Sequence, residues 1–370
     1  MDGCQKHCPG VTHSKADEVK QMKKITIQDV ARELNLSRNT VAKALNNSDT
    51  VAYETRYVVI KKAYEMGYTK LSPVVVNDFK IKDKLERTKT IVVFARRELS
   101  AFWNRIIMGI SDELNKNNCR LQLNFISEED EANHVLPLDM QTEMSGIIIL
   151  SVFSKSFLEL IIKKDVPVVF LDGPSDIHEI SDLGDVIVFE GYNSTRILTE
   201  HLLNQGMKKI GFIGDTSYCR TIKDRYEGYL SALNGRGMRP GEQFVINEHV
   251  RHRYYRQEEI AAALENLTEI PEAFVCANDD IAKDVMLWLK KKDIRIPEEV
   301  AVTGFDDKEE AELLSPSLTT VHIGNQRMGR RLVQILIWRM ENMNLPKEVV
   351  IINTEVVIRE SSVRKKQTVK

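Results

Sequence analysis

The chain has 370 residues, with 52 Lys and Arg against 54 Asp and Glu, a formal charge of −2 and 42% hydrophobic residues. That length supports two or three domains with a sizeable core, and the apolar content excludes a wholly disordered chain. No run of about 18 uncharged apolar residues suggests a membrane span, the N-terminus lacks the apolar stretch of a secretory signal, and five unevenly spread Cys fit a reducing cytoplasmic setting.

The charge total hides an asymmetry. Between Met22 and Leu71, nine basic residues against five acidic ones give +4; with a total of −2, the remainder carries −6. A small basic head on an acidic body is a plan used by DNA-binding regulators, although a merely soluble helical surface gives the same count. Residues 1–21 read as a disordered extension. Cys4, His7, Cys8 and His13 within it do not follow a zinc spacing, so neither metal nor cofactor is expected.

Residues 26–47 read TIQDVARELNLSRNTVAKALNN. Thr26 can cap a first helix, with Asp29 three residues on as its acidic partner. Ile27, Val30, Ala31 and Leu34 make one apolar face. Asn35 and Leu36 break the run, and Ser37 caps a second helix over 38–45, whose inner face is Val41, Ala44 and Leu45. A third helix is expected over 53–66, with Val59, Ala63 and Met66 inward and Gly67 ending it. This is helix-turn-helix spacing. The second helix then offers Arg38, Asn39 and, one turn later, Lys43 to base edges. Arg pairs bidentately with guanine and Asn with adenine. Thr26, Ser37, Thr40, Asn46 and Tyr68 suit phosphate contacts or caps.

This segment, with TRYVVIKKAYEMGY after it, resembles the DNA-binding head of the LacI/GalR family of bacterial transcription regulators. The marks are Asp29-Val30-Ala31, Leu36-Ser37, Thr40-Val41, Ala44-Leu45-Asn46 and Gly67-Tyr68. The resemblance places Arg38, Asn39 and Lys43 at base-reading positions and implies a head over 22–71. The family continues with a Pro-Asn pair and a short hinge helix that wedges a Leu into the minor groove. Here Lys70 stands at the Pro position, Pro73 comes late, and Val74, Val75 and Val76 disfavour a marginal helix. An extended linker over 72–88 is expected, with Leu71 or a Val as any wedge.

From Thr90 onward, short β-branched runs alternate with amphipathic stretches. Strands are expected over 91–95, 121–126, 146–150, 166–171, 186–189, 210–214, 273–277 and 300–305. Helices are expected over 103–115, 157–164, a stretch through His201, 225–234 and 281–291. The alternation predicts an α/β fold with doubly wound parallel sheets, split into two lobes because about 270 residues exceed one ordinary sheet. No glycine-rich phosphate loop follows a strand and no nucleophile elbow occurs, so no enzyme is expected.

This body, 89–360, resembles the periplasmic-binding-protein-like core of the same family, through Phe170-Leu171-Asp172, Ile210-Gly211-Phe212-Ile213-Gly214, Arg225-Tyr226-Glu227-Gly228-Tyr229, Ala277-Asn278-Asp279 and Gly304-Phe305-Asp306-Asp307. The resemblance implies an effector cleft between two lobes, a homodimer, and effector contacts at Asp172, Arg225, Asn278 and Asp306. Phe102 and Trp103 fall where the family stacks a ligand ring. Such groups suit a sugar or sugar derivative. Read singly, the alternatives are a loop cap for Asn278 and Asp306, a turn residue for Asp172 and core for Trp103. Glu190-Gly191 and Ser194 depart from the family pattern. Arg96 and Arg97 are read as surface residues, with contact to an anionic sugar as the other option. The tail, 361–370, lacks a Leu heptad, so a coiled-coil tetramer is not expected. Together these features predict a cytoplasmic, ligand-responsive repressor that binds double-stranded operator DNA, with a solute-binding protein as the alternative.

Overall fold

The computed structural model describes residues 25–46, 48, 50–71, 75, 88–97, 100–137, 143–163, 165–249 and 255–364. The expected N-terminal extension, nearly all of the linker and the last residues of the tail lie outside them. The chain divides into two compact units, Met1–Thr88 and Lys89–Lys370.

The head contains α1 (Ile27–Glu33), α2 (Arg38–Leu45) and α3 (Tyr53–Glu65). Thr26 and Asp29 form a capping box: the Thr26 hydroxyl and amide both donate to the Asp29 carboxylate, at 2.6 and 2.9 Å, and the hydroxyl accepts from the Asp29 amide. Ser37 caps α2 by accepting from the Thr40 amide at 3.0 Å. Each cap satisfies amides that lack helical partners. Val30, Ala31, Val41, Ala44, Val59 and Ala63 close into one core. The small alanines among them let the three helices approach. Gly67 follows α3 at φ +80, a conformation that costs a glycine little. Leu71 and Val75 pack on the same core.

The body begins with β1 (Thr90–Arg96), α4 (Ala101–Lys116), β2 (Arg120–Ile126), α5 (Glu128–Ala132), β3 (Gly146–Ile149), α6 (Lys155–Ile161), β4 (Val168–Leu171) and β5 (Asp185–Phe189). These strands and the late β11 (Val349–Ile352) form a six-stranded parallel sheet in the order β11-β5-β4-β3-β1-β2. The chain crosses through α7 (Tyr192–Asn204) into a second lobe. There β6 (Ile210–Ile213), α8 (Arg220–Asn234), β7 (Val245–Ile246), α9 (Gln257–Glu265), β8 (Ala273–Cys276), α10 (Asp279–Lys291), β9 (Ala301–Thr303) and α11 (Glu309–Leu313) build a four-stranded parallel sheet, order β7-β6-β8-β9. It returns through β10 (Thr320–His322) to α12 (Asn325–Glu341) and β11, then crosses again through β12 (Glu355–Val357), antiparallel to β10. The doubly wound, two-lobed α/β expectation is met. Strands buried on both faces explain the continuous apolar runs, such as Ile91–Ala95 with every residue buried.

Several boundaries differ from those expected. The 157–164 helix lies at Lys155–Ile161, and α8 begins at Arg220, so Arg225 sits inside the helix rather than at its start. Neither α12 nor α5 was foreseen. α12 packs closely on α4: a Cβ on Gly329 would come 2.0 Å from the Ile106 carbonyl oxygen, and one on Gly109 would come 2.1 Å from that of Gln326. The α12 residue Arg339 is wholly buried with Asp185 in a bidentate pair, Nε and Nη2 each 2.7 Å from a carboxylate oxygen. Its remaining donors reach the carbonyls of Asn342, Leu345 and Pro346. Such saturation is what makes a buried guanidinium tolerable.

Candidate nucleic-acid interface and effector cleft

On the head, Arg38, Asn39 and Lys43 are exposed on α2, opposite the buried Val41, Ala44 and Leu45. The expected trio therefore shares an outward-facing helix. The other expected positions divide. Thr26 and Ser37 are engaged as caps, and Thr40 is half-buried with its hydroxyl 2.8 Å from that of Ser37. Asn46 is exposed at the C-cap of α2, and the ring of Tyr68 packs against the head core.

In the body, the C-terminal ends of both sheets face a cavity of about 590 Å³. All six expected effector residues line it. Phe102 and Trp103, in the first turn of α4, pack edge to face with centroids 4.9 Å apart. Asp172 follows β4 at φ +64. Its carboxylate accepts the Thr221 hydroxyl at 2.5 Å, the Thr221 amide at 3.3 Å and the Gly173 amide at 2.9 Å. Alongside, the Arg220 amide donates to the Gly173 carbonyl at 3.0 Å. Asp172 is thus a cap supplied from the first lobe to the start of α8 in the second, where the N-cap Cys219 makes no side-chain cap of its own. Burial raises the Asp172 carboxyl pKa, and the Thr221 bond opposes this.

Arg225 lies on α8 beneath the cavity, its guanidinium carbon 3.6 Å from the centroid of the Phe305 ring. One Nη donates to the Ala277 carbonyl at 2.5 Å, the other is 3.7 Å from Asp306, and Nε is buried without a partner. Asp306 follows β9 at φ +114, an unusual backbone for a non-glycine residue. Burial pushes its carboxyl up to about 6, with Arg225 pulling it back. Asn278 caps α10, accepting from the Ile281 amide at 2.9 Å, while also lining the cavity. Asp306 makes no such helix cap.

Neighbouring Asp279 is buried and accepts the Thr320 hydroxyl at 2.6 Å and the Lys308 amide at 2.8 Å. Burial, with Asp306 adding like charge, pushes its carboxyl up to about 8. It ties α10 to the return crossing at β10.

One expectation needs correction. Arg96 is not a surface residue: it lines the cavity, donates to Glu131 and to the Val152 carbonyl, and stacks 4.0 Å over Phe153. Arg97 is exposed, 4.0 Å from Asp130. Glu190 does not line the cavity. Its carboxylate accepts the amides of Asn193 and Ser194 at 2.5 and 3.1 Å, closing the first turn of α7. Thr221, which lines the cavity, and Glu131 and Phe305, which pack against the lining residues Arg96 and Arg225, were missed. The Ser127-to-Asp130 capping spacing was the one available signal for the turn that carries Glu131.

Residues 26–70 match "Bacterial regulatory proteins, lacI family", and residues 199–362 match "Periplasmic binding protein-like domain". The chain belongs to the LacI family. Among curated relatives of this LacI-family chain, the HTH-type transcriptional repressor PurR of Pasteurella multocida is 26% identical over 91% of this chain and 98% of its own. The NTD biosynthesis operon regulator NtdR of Bacillus subtilis is 26% identical over 91% and 99%. In fold, the transcriptional regulator CelR–cellobiose complex aligns with TM-score 0.64 at 22% identity, over 91% of this chain and 100% of that one. The lac repressor dimer bound to operator and the anti-inducer ONPF aligns with TM-score 0.61 at 20% identity, over 92% and 100%. This LacI-family protein is accordingly a DNA-binding transcription regulator and not an enzyme. Among the described residues, no helix is long and apolar enough to cross a membrane.

Proposed function

We propose that this protein is a cytoplasmic, homodimeric repressor whose head, 22–71, reads operator DNA and whose body, 89–360, binds a sugar or sugar derivative that changes operator affinity. Residues 72–88 act as the linker. Arg38, Asn39 and Lys43 read base edges, while Thr26, Ser37, Thr40, Asn46 and Tyr68 set the head on the phosphates. In the cleft, Phe102 and Trp103 take the apolar face of the ligand, and Arg225, Asn278 and Asp306 take its hydroxyls.

The observation that carries the effector reading is the Arg225–Asp306 pair. At 3.7 Å these groups sit too far apart to satisfy each other, and Arg225 Nε is unpartnered at the base of a cavity. A hydroxyl that donates to Asp306 and accepts from Arg225 satisfies both, which a water-stripped site favours. Asp172 has a different part. Its carboxylate is committed to Thr221, so it holds the lobes together around the ligand. A ligand that binds better to the arrangement with this contact than to one without it shifts the balance between them, and with it DNA affinity.

Titration of labelled upstream DNA by fluorescence anisotropy tests the reading. Affinity should fall steeply with salt and respond to a small molecule found by thermal-shift screening. Binding that ignores salt and every thermal-shift hit would overturn it.

A further inference from the structure

We infer that the effector carries no anionic group, and that Glu131 sets this specificity by neutralising the one well-buried arginine on the first-lobe wall of the cleft. The inference rests on the cleft being the effector site.

Arg96 ends β1 at the edge of the cavity, where an accessible guanidinium would be a ready phosphate or carboxylate anchor. It is not left as one. Glu131, from the short turn α5, is itself buried and places a carboxylate oxygen on Arg96 Nη2. The other Glu131 oxygen accepts the Ser154 amide at 2.6 Å, so the glutamate is fixed by a second element. Arg96 Nη2 also donates to the Val152 carbonyl at 2.9 Å, and Phe153 lies against the guanidinium face. Held on these sides, Arg96 presents a neutral ion pair to the cavity.

The surrounding field points the same way. Arg97 has Asp130 beside it, and Glu128 and Glu129 line the same rim. On the second-lobe wall, Lys308 is paired with Asp280, and Arg225 faces Asp306. Four cationic side chains line the cavity against five carboxylates, with Asp130 and Glu131 standing behind two of those cations. A low-dielectric cleft with this balance repels phosphorylated and carboxylated ligands and accepts neutral or cationic ones.

The test is a calorimetric titration of the full-length protein with inorganic phosphate and glucose 6-phosphate at fixed ionic strength. Wild type is compared with Glu131→Gln, which keeps an acceptor for Ser154, and with Glu131→Gln/Arg96→Gln. Wild type should show no saturable binding at millimolar concentration. Glu131→Gln should gain roughly tenfold to a hundredfold in affinity, the worth of an exposed charge-assisted contact, and the double variant should lose it. Where Glu131→Gln fails to fold, Glu131→Asp, which draws the carboxylate back from Arg96, gives a smaller gain in the same direction. Saturable anion binding by wild type that is lost on Arg96→Gln overturns the inference. So does a folded Glu131→Gln that gains nothing. A natural effector that is anionic and whose binding requires Asp306 overturns the specificity claim alone. A natural effector indifferent to Asp306→Ala instead overturns the cleft reading on which it rests.

Discussion

Asp172→Ala is the most informative single change in the body. The carboxylate receives three donors, of which the Thr221 hydroxyl at 2.5 Å and the Thr221 amide at 3.3 Å come from across the cleft. A hydrogen bond to a charged group nets about 1.5–3 kcal/mol, and the longer amide contact contributes least. Burial raises the pKa of this carboxyl, so desolvation already cancels part of the gain. Losing the contact should therefore cost the joined-lobe arrangement about 2 kcal/mol, roughly a thirtyfold change in its ratio to a separated one. Where the separated form dominates the free protein, that whole factor appears in the dissociation constant. Asp172→Asn keeps one acceptor and can donate its amide to the Thr221 hydroxyl oxygen, so it should lose only a few-fold. Calorimetry with the screened effector measures the affinities, and small-angle X-ray scattering measures the mean lobe separation. An alanine variant with native Tm, unchanged scattering and unchanged affinity would refute the contact as a latch.

Other consequences follow from single sites. Asn39→Ala should reduce discrimination at one base position by about 1–3 kcal/mol, whereas loss spread evenly over all sequences in a competition assay would assign Asn39 to the backbone. Arg339→Met leaves Asp185 buried without its guanidinium and should cost about 3–5 kcal/mol in urea unfolding, with Arg339→Met/Asp185→Leu recovering much of it. Asp279 has a folded pKa raised to about 8 by burial, above its unfolded value. The folded state then binds the extra proton, so its stability contribution is complete at acid pH and declines as pH rises from about 4 through about 8. Asp279→Asn should flatten the fall of Tm over that window, and an unchanged slope would contradict the assignment.

The head was legible because its signals are local. Thr26 with Asp29, Ser37 at its helix start, and Gly67 at its helix end each act within one turn, so sequence spacing alone carries them. The central strands were legible because burial on both faces leaves β-branched runs without polar interruption, whereas the half-exposed β7 and β11 were not expected. α12 was not legible. Gly329 lowers its helix propensity, and Arg339 occupies a core position, so the apolar stripe is broken where the helix is most buried. Glu131 sits in the acidic stretch Glu128–Glu131, and its partner Arg96 lies 35 residues away, so no local spacing marks the pair. The cleft residues Arg225 and Asp306 were placed by family resemblance. Their unsatisfied geometry depends on how two sheets face each other, which no local pattern encodes.

On the proposed function, what binds in the cleft governs how the head reads DNA. A DNase footprint on the upstream DNA, run for wild type and Asp306→Ala with and without the screened effector, tests this coupling. A two-fold symmetric protected site whose occupancy changes with effector in wild type, and stays constant in Asp306→Ala, is the predicted result. Protection indifferent to DNA sequence, or an effector response that survives intact in Asp306→Ala, would contradict it.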